Sequence, residues 1–338
     1  MSGATAGRRV SAGLNHALHD LFADDDRLFL LGEDILDPSG GAFGVTRGLS
    51  TAFPRRVFGT PISEGGMTGV AAGLALCGDR AIVEVMFGDF ITLCVDPLVN
   101  FISKSVSMYG RRLPMGVVVR CPVGGNRGYG PTHSQNPQKH LFGVPHLQLL
   151  ELSPLHDPRR TLSRALASGE PAVFFEDKVL YTTPEYRAGR IDDCLRLAPV
   201  DESWMMVDAE AGPADWLVVA PGGLVPRLLP AMRTALVDDE VLSRAVVPDR
   251  LWPLDLDPVL PFIDDATRVL VVEDGVAGGG WAAEVARVVY ERRWGRLRHP
   301  VRILQPPCAV IPAATHLERE LLVQTETIYR VLAGGDHG

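Results

Sequence analysis

The chain has 338 residues, 46% hydrophobic and 22% charged, which suits about two globular domains and argues against a disordered chain. Its net charge of −8, with no basic block, argues against a nucleic-acid surface, and no run of 18 or more apolar residues offers a membrane span. The five cysteines (Cys77, Cys94, Cys121, Cys194, Cys308) are scattered without a CxxC pair or zinc spacing, as expected of a reduced, cytoplasmic protein.

The leading residues MSGATAGRRVSAG have no apolar core behind their arginines and read as a short disordered lead. The period of Leu14, Ala17, Leu18, Leu21 and Phe22 predicts a helix over Ser11–Ala23. Strand Leu28–Leu31 then delivers Gly32-Glu33-Asp34 to a loop, and residues 35–50 are Gly- and Ser-rich. Strand Val57–Phe58 leads into a turn, a small-residue helix starting at Glu64, and strand Ala81–Met86. A long helix is expected over Thr92–Met108, followed by strand Met115–Arg120 and the loop Gly124–His133. Strand Leu147–Leu152, helix Asp157–Ala167 and strand Ala172–Glu176 complete the first half. Residues 182–212 are polar, without a clean period, and read as a linker between domains 1–181 and 213–338.

The second half alternates in the same way. Strands are expected at Trp216–Ala220, Ser243–Val247, Val269–Val272 and Val301–Gln305, and helices at Leu224–Leu236, Pro258–Ile263, Trp281–Arg292 and His316–Leu332. Short unbroken apolar runs such as FLL, GVVV and AVFF are those of parallel strands buried on both faces. The expected fold is therefore α/β, with two doubly wound parallel-sheet domains.

The chemistry concentrates in Val57–Phe90, VFGTPISEGGMTGVAAGLALCGDRAIVEVMFGDF. Pro61 stiffens the turn, Ser63 is a candidate N-cap, and Glu64 in the first turn suits the helix dipole. That account is sufficient for Glu64 as a purely structural acid. Gly65, Gly69 and Gly73, however, share one face at four-residue spacing, and each interior glycine costs about 1 kcal/mol relative to alanine. Such a face permits close approach, either of the chain's own sheet or of another subunit. Phe87 and Phe90 follow a buried strand and read first as core or rim aromatics, with a stacking platform as the alternative. Gly88-Asp89 does not continue into a diphosphate–Mg²⁺ motif: Phe90 stands where a second glycine is needed, and Asn100 comes too early. His133, on a Gly-rich loop after a parallel strand, is either a solvated loop histidine or a ligand-facing one. With His140 and His146 it has no usual metal spacing, so no metal site is expected.

TPISEGGMTG, FGDF, THSQ and FEDKVLY (Phe175–Tyr181) together resemble the beta subunit of the thiamine-diphosphate-dependent first component of 2-oxo acid dehydrogenase complexes. LLGEDI, GAFGVTRGL, PDRLWPLD and VVEDGVAGGGWAAEVA extend the resemblance in order over nearly the whole chain. It implies a pyrimidine-binding domain followed by a transketolase C-terminal-like domain. It also implies an alpha partner in an α2β2 heterotetramer, with thiamine diphosphate shared between subunits and Mg²⁺ held mainly by the alpha subunit. The acyl acceptor would be a lipoyl acyltransferase or a carrier protein. Glu64 would bond the aminopyrimidine ring nitrogen, Phe90 would stack on that ring with Phe87 beside it, Glu33 would lie on a carboxylate relay, and His133 would face the substrate. The sequence departs from the family at NPQKH after HSQ, at Pro145-His146-Leu147 and in the tail GGDHG. Two alternatives accompany this reading: half of a split transketolase or carboligase moving a two-carbon ketol unit, and a non-catalytic scaffold subunit.

Overall fold

The computed structural model describes residues 7–209 and 212–334. The lead expected to be disordered falls largely on residues 1–6, and most of the GGDHG tail on residues 335–338; both lie outside the described residues. The first half carries β1 (Leu28–Gly32), β2 (Val57–Gly59), β3 (Arg80–Glu84), β4 (Val117–Val123), β5 (Gln148–Glu151) and β6 (Ala172–Asp177). The rest carries β7 (Gly189–Arg190), β8 (Arg196–Pro199), β9 (Trp204–Asp208), β10 (Trp216–Val219), β11 (Ser243–Pro248), β12 (Arg250–Trp252), β13 (Arg268–Val272) and β14 (Arg302–Leu304).

These strands form two seven-stranded sheets, in the orders β12-β5-β6-β4-β3-β1-β2 and β14-β13-β10-β11-β9-β8-β7. The α/β class holds, but both sheets are mixed rather than wholly parallel. In the first, β12 crosses from the second half and pairs antiparallel with β5. In the second, β9, β8 and β7 run antiparallel beyond β11. These last three strands lie within the stretch 182–212 expected as a linker and form the edge of the second sheet. Parallel strands need long crossovers, whereas this short segment can extend the sheet by hairpin-like returns.

The long helix expected at Thr92–Met108 is helical without a break from Gly88 to Ser105, but it is not uniformly α. A 3₁₀ segment (Gly88–Cys94), a π-helical segment (Pro97–Ile102) and a short α-turn (Ser103–Ser105) replace a single α-helix. Pro97 contributes no N–H, which prevents an ordinary i→i−4 ladder through this point. The last expected helix is two, Thr315–Leu321 and Thr325–Leu332.

A single apolar cluster runs through both sheets, from Val83, Val119 and Phe175 to Leu217, Val246, Val271 and Trp281. Polar contacts add to it: the Gly223 N–H donates to Glu151 Oε1 at 3.0 Å, and Arg227 pairs with Asp274 at 2.8 Å and lies 3.9 Å from Asp177. Among the described residues, no helix is long and apolar enough to cross a membrane.

Candidate active site

Five adjacent strands end at one edge of the first sheet, in the order β2, β1, β3, β4, β6. Their pairing is parallel: Gly32 faces Gly59 and Glu84, Glu84 faces Arg120 inside β4, and further along the ends of β4 and β6, Val123 and Asp177, face each other. The segments that leave these ends carry Glu64, Glu33, Phe87 with Phe90, His133, and Lys178 respectively. Parallel α/β sheets place their ligands at this edge.

Glu64 opens helix Glu64–Leu76 and is only 5% exposed, while Glu33 is 6% exposed. Ser63 occupies the N-cap position, but its side chain makes no capping bond. Its backbone N–H instead donates to Glu33 Oε1 at 3.3 Å, which ties the end of β1 to the start of this helix. Burial raises the Glu33 carboxyl above the usual range; the charge of Glu64 adds to this and the Ser63 N–H opposes it. Among the described residues, no hydrogen bond reaches the Glu64 carboxyl. Thr68 Oγ1 donates to the Glu64 carbonyl at 2.7 Å and lies 3.3 Å from Cys94 Sγ. The Cys94 thiol is pushed up to about 11 by burial, against the Thr68 bond and with the charges of Glu64 and Glu33. Glu64, Glu33, Thr68 and Cys94 therefore act on one another electrostatically.

The aromatic group is separate. The His133 ring lies 4.6 Å from that of Phe87 and 5.4 Å from that of Phe90, both edge-to-face, and the two phenylalanines are 6.5 Å apart. Tyr129 meets Phe87 at 5.7 Å. Thr132 Oγ1 lies 2.9 Å from His133 Nδ1, and no hydrogen bond occupies Nε2 among the described residues. Among the described residues, no hydrogen bond or ring contact joins this group to the two carboxyls. Their connection is the 3₁₀ segment Gly88–Cys94, which holds Phe90 at one end and packs on helix Glu64–Leu76 at the other. A Cβ on Gly65 would stand 3.1 Å from the Leu93 carbonyl. Gly69 and Gly73 behave differently: a Cβ at either would meet nothing within 4 Å. The glycine face thus turns away from the chain's own sheet beyond its first turn.

The His133 loop is set from both sides. Gly124 has φ +87°, and a Cβ there would stand 2.8 Å from the Asp177 carboxylate. From the second half, Glu318 accepts from the Gly128 N–H at 3.0 Å, and Gln324 donates to Asn126 at 2.9 Å. His140 and His146 do not join His133. His146 lies 3.2 Å from Glu170 and 3.3 Å from Ser107 Oγ. Among the described residues, no group of three His, Cys, Asp or Glu side chains is arranged to hold a metal ion.

Sequence reasoning did not single out Asp89, Gln135 or Lys178. Asp89 appeared there only within a rejected motif, and Lys178 only inside FEDKVLY. A lysine directly after an apolar strand ordinarily reads as a solvated end, and nothing local signals its burial.

Fold and site together define a two-domain α/β protein whose polar and aromatic groups converge at the carboxyl ends of a parallel sheet. Residues 7–184 match the pyrimidine-binding domain of transketolase, and residues 208–328 its C-terminal domain. The pyruvate dehydrogenase E1 component subunit beta of Leifsonia xyli subsp. xyli is 32% identical, with 87% of this chain and 83% of that protein aligned. The acetoin:2,6-dichlorophenolindophenol oxidoreductase subunit beta of Cupriavidus necator is 28% identical over 97% of this chain and 98% of that protein. A solved split-gene transketolase, described as an inactive beta4 tetramer, matches at TM-score 0.71 and 18% identity, covering 97% of this chain and 98% of that one. At that identity the likeness is one of fold. The chain belongs to the transketolase-like family, with the beta subunits of thiamine-diphosphate-dependent 2-oxo acid dehydrogenase first components. Thiamine-diphosphate dependence comes with that membership, and the split-transketolase alternative is not favoured by these relatives.

Proposed function

We propose that this chain is the catalytic beta subunit of a 2-oxo acid dehydrogenase first component. Working with an alpha partner in an α2β2 assembly, it would decarboxylate a 2-oxo acid and pass the acyl group to a lipoyl disulfide, whose S–S bond opens and takes up the two electrons, or, with a separate two-electron oxidant, to a carrier-protein thiol. The observation that carries the proposal is the buried Glu64 carboxyl, free of hydrogen bonds among the described residues, at a sheet edge shared with Glu33, Phe87, Phe90 and His133.

These residues fit the aminopyrimidine half of thiamine diphosphate. A buried carboxyl without a hydrogen bond among the described residues suits a ring nitrogen, and aromatic rings on the neighbouring segment suit a flat heterocycle. Glu64 would bond that nitrogen and hold or release a proton there. Glu33 keeps a second carboxyl close, in surroundings that favour its protonated form. Phe90, with Phe87 beside it, would bound the ring face and exclude water. When bound, the cofactor supplies the electron sink for loss of carbon dioxide. His133 presents Nε2 while Nδ1 lies against Thr132, so it can exchange a proton with the substrate or the acceptor thiol. Diphosphate and Mg²⁺ fall to the alpha partner; on this chain the acid of Gly88-Asp89 is bonded to Gln135 at 2.8 Å. The open glycine face of helix Glu64–Leu76 would receive a partner subunit.

The test is Glu64→Ala co-purified with its alpha partner. Assembly should be intact, and 2-oxo acid decarboxylation should fall by at least about 100-fold. Near-normal turnover would overturn the assignment.

A further inference from the structure

Lys178 follows β6 and is 0% exposed, yet its ammonium has no hydrogen-bond partner among the described residues. Nζ stands 5.7 Å from the centre of the Phe87 ring, the same ring that packs edge-to-face on His133 at 4.6 Å. A second buried atom is also unpartnered, Asp89 Oδ2. The attraction of Asp89 is among the forces that keep the Lys178 proton bound. The other oxygen of Asp89 accepts from Gln135 Nε2 at 2.8 Å, two residues beyond His133. The lysine thus bears on the His133 loop by two routes, one through a ring face and one through a carboxylate.

An isolated buried ammonium is costly, and its cation–π contact and the Asp89 charge offset part of that cost. Phe87 is the contact shared by Lys178 and His133, and no substrate-facing surface remains on the lysine. We infer that Lys178 is a positioning residue: its positive charge anchors Phe87 and Asp89, and through them fixes the ring of His133. This extends the reading of His133 as a site residue and rests on it.

The charged or titratable groups acting on the amine are Asp177 beside it, Asp89 after β3, Cys121 on β4 and Arg127 on the loop. Burial lowers the amine to about 8, against Asp177, Asp89 and Cys121 and with Arg127. The restraint on His133 should therefore be in place at pH 7 and fade as pH rises through 8.

The experiment is carbethoxylation of the full chain with diethyl pyrocarbonate, read residue by residue by mass spectrometry, with exposed His16 as the internal reference. In Lys178→Met the His133 rate relative to His16 should rise about threefold or more at pH 7. Lys178→Arg, which keeps the cation, should restore the wild-type ratio and remove the further rise between pH 7.5 and 9. Gln135→Met, on an exposed side chain, cuts the Asp89 route and should raise the same ratio, so the inference does not depend on the core variant folding. Unchanged ratios in both Lys178→Met and Gln135→Met would overturn it. If the ratios rise while a His133→Ala complex retains full acyl transfer, the positioning stands and the reading of His133 as a site residue falls.

Discussion

Glu33 and Glu64 put two carboxyls at neighbouring strand ends, each nearly removed from water. At Glu33, burial and the like charge both oppose ionisation. A carboxyl raised in the folded state contributes stability below its unfolded pKa and loses it as pH rises through the folded value. Glu33→Gln keeps an oxygen for the Ser63 N–H and removes the charge. Its melting temperature should equal or exceed that of the wild type at pH 7.5, with the gap closing by pH 4.5; thermal scans at the two values check this. A drop at pH 7.5 would show that the Glu33 charge is stabilising. Glu64 was legible in the sequence because an acid after a proline turn and before a glycine-studded helix is conspicuous. Lys178 was not, because its burial is created by Phe87 and Asp89, which join it only when β3, β4 and β6 lie side by side.

At the scale of single elements, helix Glu64–Leu76 carries an unexplained weakness if it is considered alone. Two of its interior glycines, Gly69 and Gly73, have open space where a side chain would stand. Ile62, 82% exposed, Val70 and Leu93 add bare apolar surface around the helix. Gly69→Leu should leave the isolated chain as stable as before or stabilise it by up to about 1 kcal/mol. The same change should weaken association with the alpha partner, measured by analytical ultracentrifugation of the mixed subunits. Unimpaired assembly would remove this face from the interface. Element types followed from apolar runs and helical periods, which are local. The strands β7, β8, β9 and β12 escaped notice because each takes its identity from the neighbour it pairs with.

For the whole molecule, the join between the halves is polar as well as apolar. Glu151 accepts from the Gly223 N–H across that join, and burial pushes its carboxyl up to about 8, with the Gly223 and Gln138 bonds opposing and Asp177 and Glu273 adding to the rise. By the same linkage, its contribution to stability is complete at acid pH and is lost as pH rises through 8. Wild-type melting temperature should fall between pH 7 and 9, and Glu151→Gln should reduce that fall. Identical pH dependence in the two proteins would place the sensitivity elsewhere.

Most of the element order, the α/β class and the candidacy of Glu33, Glu64, Phe87, Phe90 and His133 were accessible from the sequence. Each rests on short-range information: apolar runs, turn residues and motifs a few positions long. The tertiary structure alone decided that five parallel strands end side by side, that β12 returns to the first sheet, and that Glu318 and Gln324 hold the His133 loop from about 190 residues away. It also decided that Lys178 is buried against that site. Burial and long-range pairing are properties of the packed whole, because the partners that remove a group from water are distant in the chain.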